Sequence, residues 1–305
     1  MSSKVEVSII CDTFNHEKYI ENALKSFVCQ KTKFKFEIII HDDASSDGTQ
    51  GIVLKYKKIY PQLIKCVFEK ENLYSKGISH FWESTFKEIK GKYVAICEGD
   101  DFWVDENKLQ LQHDYMEKND SCSLCAHKAI RVSEDGSFLS IYSKRTLSDP
   151  TFEESVLDLS LFPTSSMFFK KSFYTNNEHF LRSVPMFDYV LKILLANEGS
   201  VHILEETMSA YRTSSQGSWT QRITKDRVKH RNHYLESISI IAKIDHYTNH
   251  NRSAVLKKII KQREFTAALI INDYKTVFSP AYRECYKKLR LISRIKLRIK
   301  YMFGI

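Results

Sequence analysis

Short apolar runs alternate with amphipathic stretches along the first hundred residues. The pattern predicts four strands, at Val5–Cys11, Phe36–Ile40, Ile64–Phe68 and Tyr93–Cys97. It predicts helices between them, at Glu17–Cys29, Asp47–Ile59 and Ser79–Ile89. Strands that alternate with helices at this spacing favour βαβ units and a mostly parallel sheet. Ligands of such sheets bind beyond the carboxyl ends of the strands, so the residues at those ends are the first candidates for chemistry.

The second half of the chain is less regular. A helix is predicted from Glu106 to Asn119, followed by strands at Ser123–Ala129, Phe138–Tyr142 and Ser165–Lys170 and a helix at Tyr189–Asn197. From Asp226 onward the periodicity is mainly helical. Ser, Thr, Gln and Gly cluster at Thr213–Thr224, which favours a domain boundary there.

Composition narrows the class of protein. The chain has 305 residues, 43% of them hydrophobic, which is enough for a sizeable core. It has no apolar run near the ~20 residues of a membrane span and no apolar leader, so a cytosolic protein is expected. Seven scattered cysteines fit buried free thiols. Cys122 and Cys125 form a single CxxC, for which a structural role is favoured over zinc.

Acidic residues follow two of the predicted strands. His41–Thr49 carries Asp42, Asp43 and Asp47, and Glu98–Asp101 carries three acids in four residues. Such crowding is unfavourable unless a cation or hydrogen-bond donors offset the repulsion, and Mg²⁺ and Mn²⁺ prefer oxygen ligands. Turn formation and helix capping are equally good explanations for the first segment. A metal site is favoured for the second, because three acids are poor material for a tight turn alone.

Three segments together resemble family 2 glycosyltransferases. Ile9–Ile20 is similar to the family's opening strand and Thr-aromatic-Asn turn, and His41–Thr49 to its Asp-Asp-x-Ser-x-Asp-Gly-Thr segment. Glu98–Asp101 resembles its Asp-x-Asp metal motif, with Glu in the first place. The resemblance implies an α/β GT-A fold, which is Rossmann-like, with a mixed, mostly parallel sheet flanked by helices. A C-terminal helical extension would follow.

The resemblance also implies roles for individual residues. Thr13, Asn15 and the nearby backbone would contact the nucleotide, and Asp42 or Asp43 would bind the base, most often uracil. Glu98 would approach the ribose or the sugar, and Asp100 would bind Mn²⁺ or Mg²⁺ with Asp101 beside it. Asp12 departs from the family, in which many members have Pro, and would change the turn and add a charge near the nucleotide.

Transfer with inversion needs a general base, and the resemblance implies an acidic residue in the second half of the domain for this role. Asp188, before an apolar helix, resembles the family's base, although it would also serve as an N-cap. Arg212 resembles the family's Tyr-Arg segment and could reach the donor diphosphate or form a surface ion pair. Residues 213–220 are expected to close over the donor. Trp103 is either an acceptor floor or a core residue.

The net charge of +9 is concentrated near the end of the chain. Residues 281–300 hold eight basic residues and one acid, a net of +7, which leaves +2 for the rest. Apolar residues share a helical face over 281–303, so this segment could lie on an anionic membrane as a basic amphipathic helix. A helix packed on its own domain is an equal alternative, and the alternation over Ile295–Ile299 leaves a strand open.

The sequence thus predicts an inverting, metal-assisted glycosyltransferase of the hexosyl type with a UDP-sugar donor. Its acceptor would be a glycan or a lipid-linked glycan, and no nucleic-acid partner is expected. Residues 1–220 would form the GT-A domain, with a nucleotide-sugar half over 1–115 and an acceptor half over 116–220, and 221–305 a basic helical region. A non-catalytic nucleotide-sugar-binding module and, less favoured, a nucleotidyltransferase are the alternatives. The latter would more often carry a Gly-rich basic loop where this chain has Cys11–His16.

Overall fold

The computed structural model describes residues 4–76, 82–145, 147–158, 160–185, 187–213 and 225–303. The chain forms two compact units, Met1–Ser215 and Gln216–Ile305. The strands of the first unit are β1 (Val5–Thr13), β2 (Lys35–Asp42), β3 (Ile64–Phe68), β4 (Tyr93–Ile96), β5 (Phe102–Trp103), β6 (Cys122–Val132), β7 (Phe138–Ile141), β8 (Phe168–Lys170) and β9 (Ser200–Arg212). Its helices are α1 (Ile20–Val28), α2 (Thr49–Ile59), α3 (Trp82–Glu88), α4 (Lys108–Lys118), α5 (Phe152–Leu157), α6 (Lys171–Leu181) and α7 (Phe187–Glu198).

The strands form one mixed sheet. Among the described residues it has nine strands in the order β3-β2-β1-β4-β8-β6-β9-β5, with β7 paired to β6. β1 lies parallel to both β2 and β4, and β2 lies parallel to β3. β8 runs antiparallel to β4 and β6, while β6 and β9 are parallel. The predicted mixed α/β sheet flanked by helices is confirmed, and its continuous parallel part is the region predicted from the first hundred residues.

The core explains why the parallel strands are apolar throughout. Ile9, Ile10 and Cys11 are consecutive in β1 and all fully buried, because both faces of the strand are covered. The four apolar residues of α1 that share a face, Ile20, Ala23, Leu24 and Phe27, are also fully buried. Burying a side chain of the size of Leu24 or Phe27 contributes ~1.5–3 kcal/mol each. The carboxyl ends of β1, β2 and β4 therefore lie on one rigid, well-packed edge.

The sequence analysis missed β9, the strand that completes the second half of the sheet. Its pattern is interrupted in the middle by exposed Glu205, Glu206 and Thr207, so neither a period of two nor a continuous apolar run is visible. The pairing with β6 accommodates this stretch through register shifts around His127–Ala129. β9 matters for function because it ends at Arg212.

The second unit is helical, as predicted. It contains α8 (Arg227–Tyr247), α9 (Ser253–Ile270), α10 (Tyr274–Val277), α11 (Arg283–Lys288) and α12 (Leu291–Phe303). Asp226 caps α8 by accepting hydrogen bonds from the N–H groups of Val228 (2.9 Å) and Lys229 (3.1 Å). The stretch Ile295–Ile299, for which a strand was an alternative, lies within α12. Within the described parts of both units, no helix combines the length and apolarity that crossing a membrane requires.

Two glycines test the packing of the parallel sheet. A Cβ on Gly91 would lie 2.5 Å from the backbone nitrogen of Ser8 and 2.7 Å from the carbonyl carbon of Val7, whereas a Cβ on Gly51 would meet nothing within 4 Å. Gly91→Ala should therefore destabilise the protein by ~1–3 kcal/mol, because neither backbone can yield cheaply. Gly51→Ala, the control inside α2, should stabilise it by ~0.5–1 kcal/mol through helix propensity. Urea unfolding measures both, and a loss of stability in Gly51→Ala equal to that in Gly91→Ala would contradict this account.

Candidate active site

The acid loop, Glu98–Asp101, directly follows β4. Asp101 is buried, and Glu98 and Asp100 are half-buried. Burial raises the pKa of Glu98 to about 8, with further contributions from the charges of Asp100, Asp188 and Asp12. Burial, followed by the charges of Asp100 and Glu98, also raises the pKa of Asp101. Ionising all the carboxyl groups of the loop together is therefore unfavourable in the surroundings that the protein itself provides.

Arg212, at the end of β9, holds the acid loop in place. Its backbone N–H donates to Asp101 Oδ1 (2.8 Å), and its Nε donates to the carbonyl of Asp100 (2.9 Å). Nη1 donates to the carbonyls of Ser133 (3.2 Å) and Glu134. The guanidinium carbon lies 4.9 Å from the centre of the Tyr19 ring. Arg212 is thus a buried clamp, and the alternative of a surface ion pair is wrong.

One part of Arg212 is still available for the predicted contact with a diphosphate. Nη2 is buried and has no hydrogen-bond partner among the residues that the structure describes. That contact stays a prediction. The loop over 213–220 that was expected to cover the donor lies, beyond Thr213, outside the described residues.

The oxygen donors of the acid loop fit a hard divalent cation. Asp101 Oδ1 already accepts a hydrogen bond from Arg212, and the carboxylates of Asp100 and Glu98 are the candidates for protein ligands. Among the described residues, the cluster with metal-ligand spacing is Glu6, His113 and Glu117, away from this loop. Its Glu117 already accepts hydrogen bonds from Lys92 and Tyr93. The acid loop is therefore a partial shell, as expected where a substrate diphosphate and water supply the remaining ligands.

Two residues with left-handed backbone conformations shape the turns after β1 and β2. Asn15 has φ 54° and Ala44 has φ 61°, a conformation that Asn tolerates better than Ala. The Asn15 N–H donates to Ser45 Oγ (2.8 Å), and Asn15 Oδ1 accepts from the Ser46 N–H (2.8 Å). Asn15 therefore ties the turn after β1 to the turn after β2. Backbone strain of this kind is characteristic of functional sites.

The structure corrects the role predicted for Asp42. Its carboxylate is fully buried and accepts hydrogen bonds from Ser45 N (2.8 Å), Ser45 Oγ (2.5 Å) and Gln50 Nε2 (2.6 Å). Asp42 therefore builds the turn, because these three hydrogen bonds hold its carboxylate inside the fold. Asp43 accepts from the N–H groups of Leu73 (2.7 Å) and Tyr74 (3.1 Å), which fixes the segment after β3. Of the two, Asp43 remains the candidate for the base.

Thr13 lies where the turn after β1 meets the acid loop. A Cβ on Gly99 would lie 2.8 Å from Thr13 Oγ1 and 2.9 Å from His16 Nδ1. Both polar atoms are buried and have no hydrogen-bond partner in the described part of the chain. The Asp12 carbonyl accepts a hydrogen bond from the Gly99 N–H (2.8 Å). Only a residue without a side chain fits here, and the two orphaned polar atoms suit a polar ligand.

Sequence reasoning noticed Asp12 but missed its partners. The fully buried His41 ring lies between two carboxylates, with Nδ1 3.2 Å from Asp12 Oδ1 and Nε2 3.3 Å from Glu69 Oε1. Burial alone would lower the pKa of His41, but the hydrogen bond and charge of Asp12 and the charge of Glu69 raise it overall. Burial raises the pKa of Asp12, and His41 partly offsets that rise. A His directly before the Asp-Asp pair was the available signal.

Asp188 lies in the first turn of α7, and its side chain is exposed. It is close enough to the acid loop for its charge to raise the pKa of Glu98. One turn later, the buried Lys192 donates to the carbonyl of Phe162 (3.1 Å). Burial lowers the pKa of Lys192, against the opposing charges of Asp188 and Glu98. Sequence reasoning missed Lys192, although a lone Lys in the apolar run Val190–Ala196 was a visible signal.

The acceptor role considered for Trp103 is corrected. Trp103 is 4% exposed, and its Nε1 donates to the carbonyl of Ser165 (2.9 Å). Phe27 packs edge-on against the ring at 4.8 Å, and the buried Lys108 ammonium lies 4.0 Å from the ring centre. No ring face is open to a sugar, so Trp103 is a core residue, as its alternative interpretation held.

Comparison with known proteins identifies the family. The model of glycosyl transferase family 2 matches residues 8–175, more than half of the chain. The chain belongs to family 2 of the glycosyltransferases. The match begins in β1 and includes the turns after β1 and β2 and the acid loop, so the three segments used in the sequence analysis all lie within it.

Relatives by sequence agree with this membership. An uncharacterized protein of Mycobacterium tuberculosis is 30% identical over 221 residues, which cover 72% of this chain and 62% of that protein. This family 2 chain therefore spans less than two thirds of that relative's length. The Escherichia coli UDP-Glc:α-D-GlcNAc-diphosphoundecaprenol β-1,3-glucosyltransferase WfgD is 33% identical over 113 residues, 37% of this chain and 42% of WfgD.

Solved structures confirm the GT-A fold. Staphylococcus aureus TarS 1-349 in complex with UDP-GlcNAc has a TM-score of 0.64 at 17% identity, covering 96% of this chain and 78% of that one. The mannosyltransferase PcManGT of Pyrobaculum calidifontis, in complex with GDP-Man and Mn²⁺, has a TM-score of 0.59 at 15% identity, covering 98% and 85%. At these identities the similarity concerns the fold alone. The architecture is the one that the first hundred residues predicted.

The His41 ion pairs make stability depend on pH. Because the pKa of His41 is raised in the folded state, its contribution is complete below the unfolded value of about 6.5 and is lost as the pH rises through the folded pKa. His41→Gln should cost ~1–3 kcal/mol at pH 6 by leaving buried carboxylates uncompensated, and less at pH 9. Urea unfolding at both pH values measures this, with the exposed His179→Gln as control. An equal cost at the two pH values would show that His41 is not charged in the folded protein.

Proposed function

We propose that this glycosyltransferase moves a sugar from a UDP-sugar to a glycan or lipid-linked glycan acceptor, with inversion at the anomeric carbon. The observation that carries the proposal is the proximity of the exposed carboxylate of Asp188 to the carboxylates of the acid loop, which have more buried surroundings. Glu98 and Asp100 lie in the acid loop, and the exposed Asp188 lies near enough to perturb Glu98. The acid loop suits the binding of a cation and a diphosphate, and Asp188 suits the acceptance of a proton from an acceptor hydroxyl.

The donor is proposed from the acid loop and the names of similar proteins. Asp100, assisted by Glu98, would hold Mn²⁺ or Mg²⁺, and such a cation neutralises the charge that develops on a diphosphate leaving group. Thr13 and Asn15 would position the nucleotide, and Asp43 would bind the base. Asp101 would act indirectly, since its Oδ1 accepts a hydrogen bond from the Arg212 backbone N–H. WfgD is named for UDP-Glc, and the TarS structure contains UDP-GlcNAc, which supports UDP as the nucleotide.

Asp188 is proposed as the general base. Asp188 lies in the first turn of α7, where the helix dipole favours a carboxylate, so its side chain suits the role of proton acceptor. Lys192, one turn along the same helix, is buried, and the charges of Asp188 and Glu98 oppose the lowering of its pKa by burial. In this arrangement the Asp188 carboxylate accepts the proton of the acceptor hydroxyl as that oxygen attacks the anomeric carbon. The leaving diphosphate departs from the opposite face of the sugar, which inverts the configuration.

The assignment of functions to the parts of the chain is also a proposal. Residues 1–220 would form the catalytic domain, with donor functions in 1–115 and acceptor functions in 116–220. Residues 221–305 would act outside the chemistry. The name of WfgD supports a lipid-linked acceptor, since it specifies a sugar on diphosphoundecaprenol.

The metal assignment is tested by UDP binding. Wild-type protein should bind UDP more tightly with Mn²⁺ than without, and Asp100→Asn should weaken the Mn²⁺-dependent binding at least tenfold because a cation ligand is lost. Calorimetric titration of UDP with and without Mn²⁺ measures this, with GDP and CDP as competing nucleotides. Asp120→Asn is the control, since that carboxylate is 98% exposed and outside the site. Undiminished Mn²⁺-dependent binding in Asp100→Asn would overturn the assignment.

The base is tested by separating binding from transfer. Asp188→Asn should bind UDP with unchanged affinity but lose ~10²–10⁴-fold in kcat, because only proton removal is affected. The assay measures UDP released from UDP-sugars in the presence of a sugar linked to a lipid diphosphate, with Asp120→Asn as control. If Asp188→Asn instead lowers the unfolding temperature and leaves kcat intact, the residue is a helix-capping group. UDP binding without transfer by wild type to any acceptor would favour a non-catalytic binding module.

A further inference from the structure

The last described helix, α12, is amphipathic, but its apolar face is exposed rather than buried. Leu291–Phe303 contains no buried residue, although more than half of its sequence is apolar. Residues three, four and seven positions apart share a face of a helix, which groups Ile292, Ile295, Ile299 and Met302. These side chains are 68%, 49%, 48% and 77% exposed. Together with Leu291 and Phe303, which are 63% and 68% exposed, they form what we term the apolar arc.

The apolar arc is not the face with which α12 packs on its own unit. The half-buried positions are Ser293, Arg294 and Leu297, on the other side of the helix. On that side Tyr301 packs against Phe278 with ring centres 5.0 Å apart, and the Tyr286 hydroxyl donates to the carbonyl of Arg294 (3.2 Å). The helix is therefore held through one face while its most apolar face points outward. This geometry disfavours the alternative of a helix with its apolar face packed on the domain and only a basic face in solvent.

The charges around the arc indicate what covers it. Residues 285–303 carry seven basic side chains and no acidic one. Lys296 and Arg298 are exposed and lie at opposite edges of the apolar arc, as the 100° step per residue requires. Long basic side chains at such positions extend their stems along the apolar surface and place their charges at the level of lipid phosphates. Each basic residue near an anionic leaflet adds attraction.

We propose that the apolar arc of α12 lies in the interface of an anionic phospholipid bilayer. A second copy of this chain is a poor occupant, because pairing two arcs would bring basic edges together without an acidic partner from either helix. A nucleic acid would contact the basic side chains but leaves the apolar arc without a function. A membrane satisfies both features at once, through apolar insertion and attraction to lipid phosphates. The proposal does not depend on the donor or on the catalytic base.

The experiment is sedimentation of the full chain with lipid vesicles. Vesicles of phosphatidylcholine with about one third phosphatidylglycerol should bind the protein at least tenfold more tightly than vesicles of pure phosphatidylcholine at physiological salt. The double variant Ile295→Ser/Ile299→Ser should weaken this binding at least tenfold, and Lys296→Gln/Arg298→Gln should weaken it severalfold. The control is Leu54→Ser/Ile59→Ser, which removes equally exposed apolar side chains from α2 (52% and 57%) and should leave binding unchanged.

A second measurement keeps the test independent of any loss of folding. In Ile299→Trp the emission of the new tryptophan should shift to shorter wavelength on adding anionic vesicles, which shows burial of that position in lipid. Equal binding to neutral and anionic vesicles, no shift in emission, or a dimer in solution that Ile295→Ser/Ile299→Ser dissociates would each overturn the proposal. UDP binding by all these variants should equal that of wild type, so failure here is distinguishable from failure of the proposed catalytic site.

Discussion

The acid loop after β4 imposes the constraint on which the rest of the candidate site depends. Three acids in four residues repel one another, and burial makes their ionised forms still less favourable. The fold tolerates this because Arg212 donates to Asp101 and to the loop backbone. Part of the charge remains uncompensated, and it is this part that we propose meets the cation and the substrate diphosphate. The repulsion among the acidic residues thus both destabilises the loop and makes it suitable for a cation.

Arg212 also connects the two halves of the first unit. It ends β9, a strand that crosses the second half of the sheet beside β6, and it contacts the acid loop, the turn at Ser133–Glu134 and the ring of Tyr19. One buried guanidinium thus connects three chain segments that are distant in sequence. Guanidinium suits this task because its donors are fixed in a plane and its charge is permanent. The α/β sheet is rigid, and the hydrogen bonds of Arg212 fix the acid loop to it.

A second group of charged residues lies at the ends of β1 and β2, and it departs from the pattern of the family. Asp12 stands where many members have Pro, and in this chain it is accompanied by His41 and Glu69 around one buried imidazole. A buried carboxylate is costly alone, but a protonated imidazole between two carboxylates offsets much of that cost. His41 therefore offsets only part of the cost of burying Asp12, whose pKa stays raised. The roles of the neighbouring Thr13, Asn15 and Asp43 remain proposals, and the charge of Asp43 also helps to raise the pKa of His41.

Much of this protein was determined by local sequence. The apolar runs of β1 to β4, the amphipathic faces of the first helices and the acids at the strand ends follow from periodicity and from the adjacency of residues, so the GT-A fold and the acid loop were predictable. The assignment of individual side chains was decided by tertiary structure. Asp42 and Trp103 are turned into the fold by their hydrogen-bond and ring partners, and Lys192 and β9 acquire their roles only beside other segments.

The direction of the apolar face of α12 was decided in the same way. Its sequence groups Ile292, Ile295 and Ile299 on one face, but the opposite face is the one that meets Phe278 and Tyr286. Periodicity records which residues share a face, because it depends only on the geometry of the local backbone. Long-range contacts alone decide what that face meets.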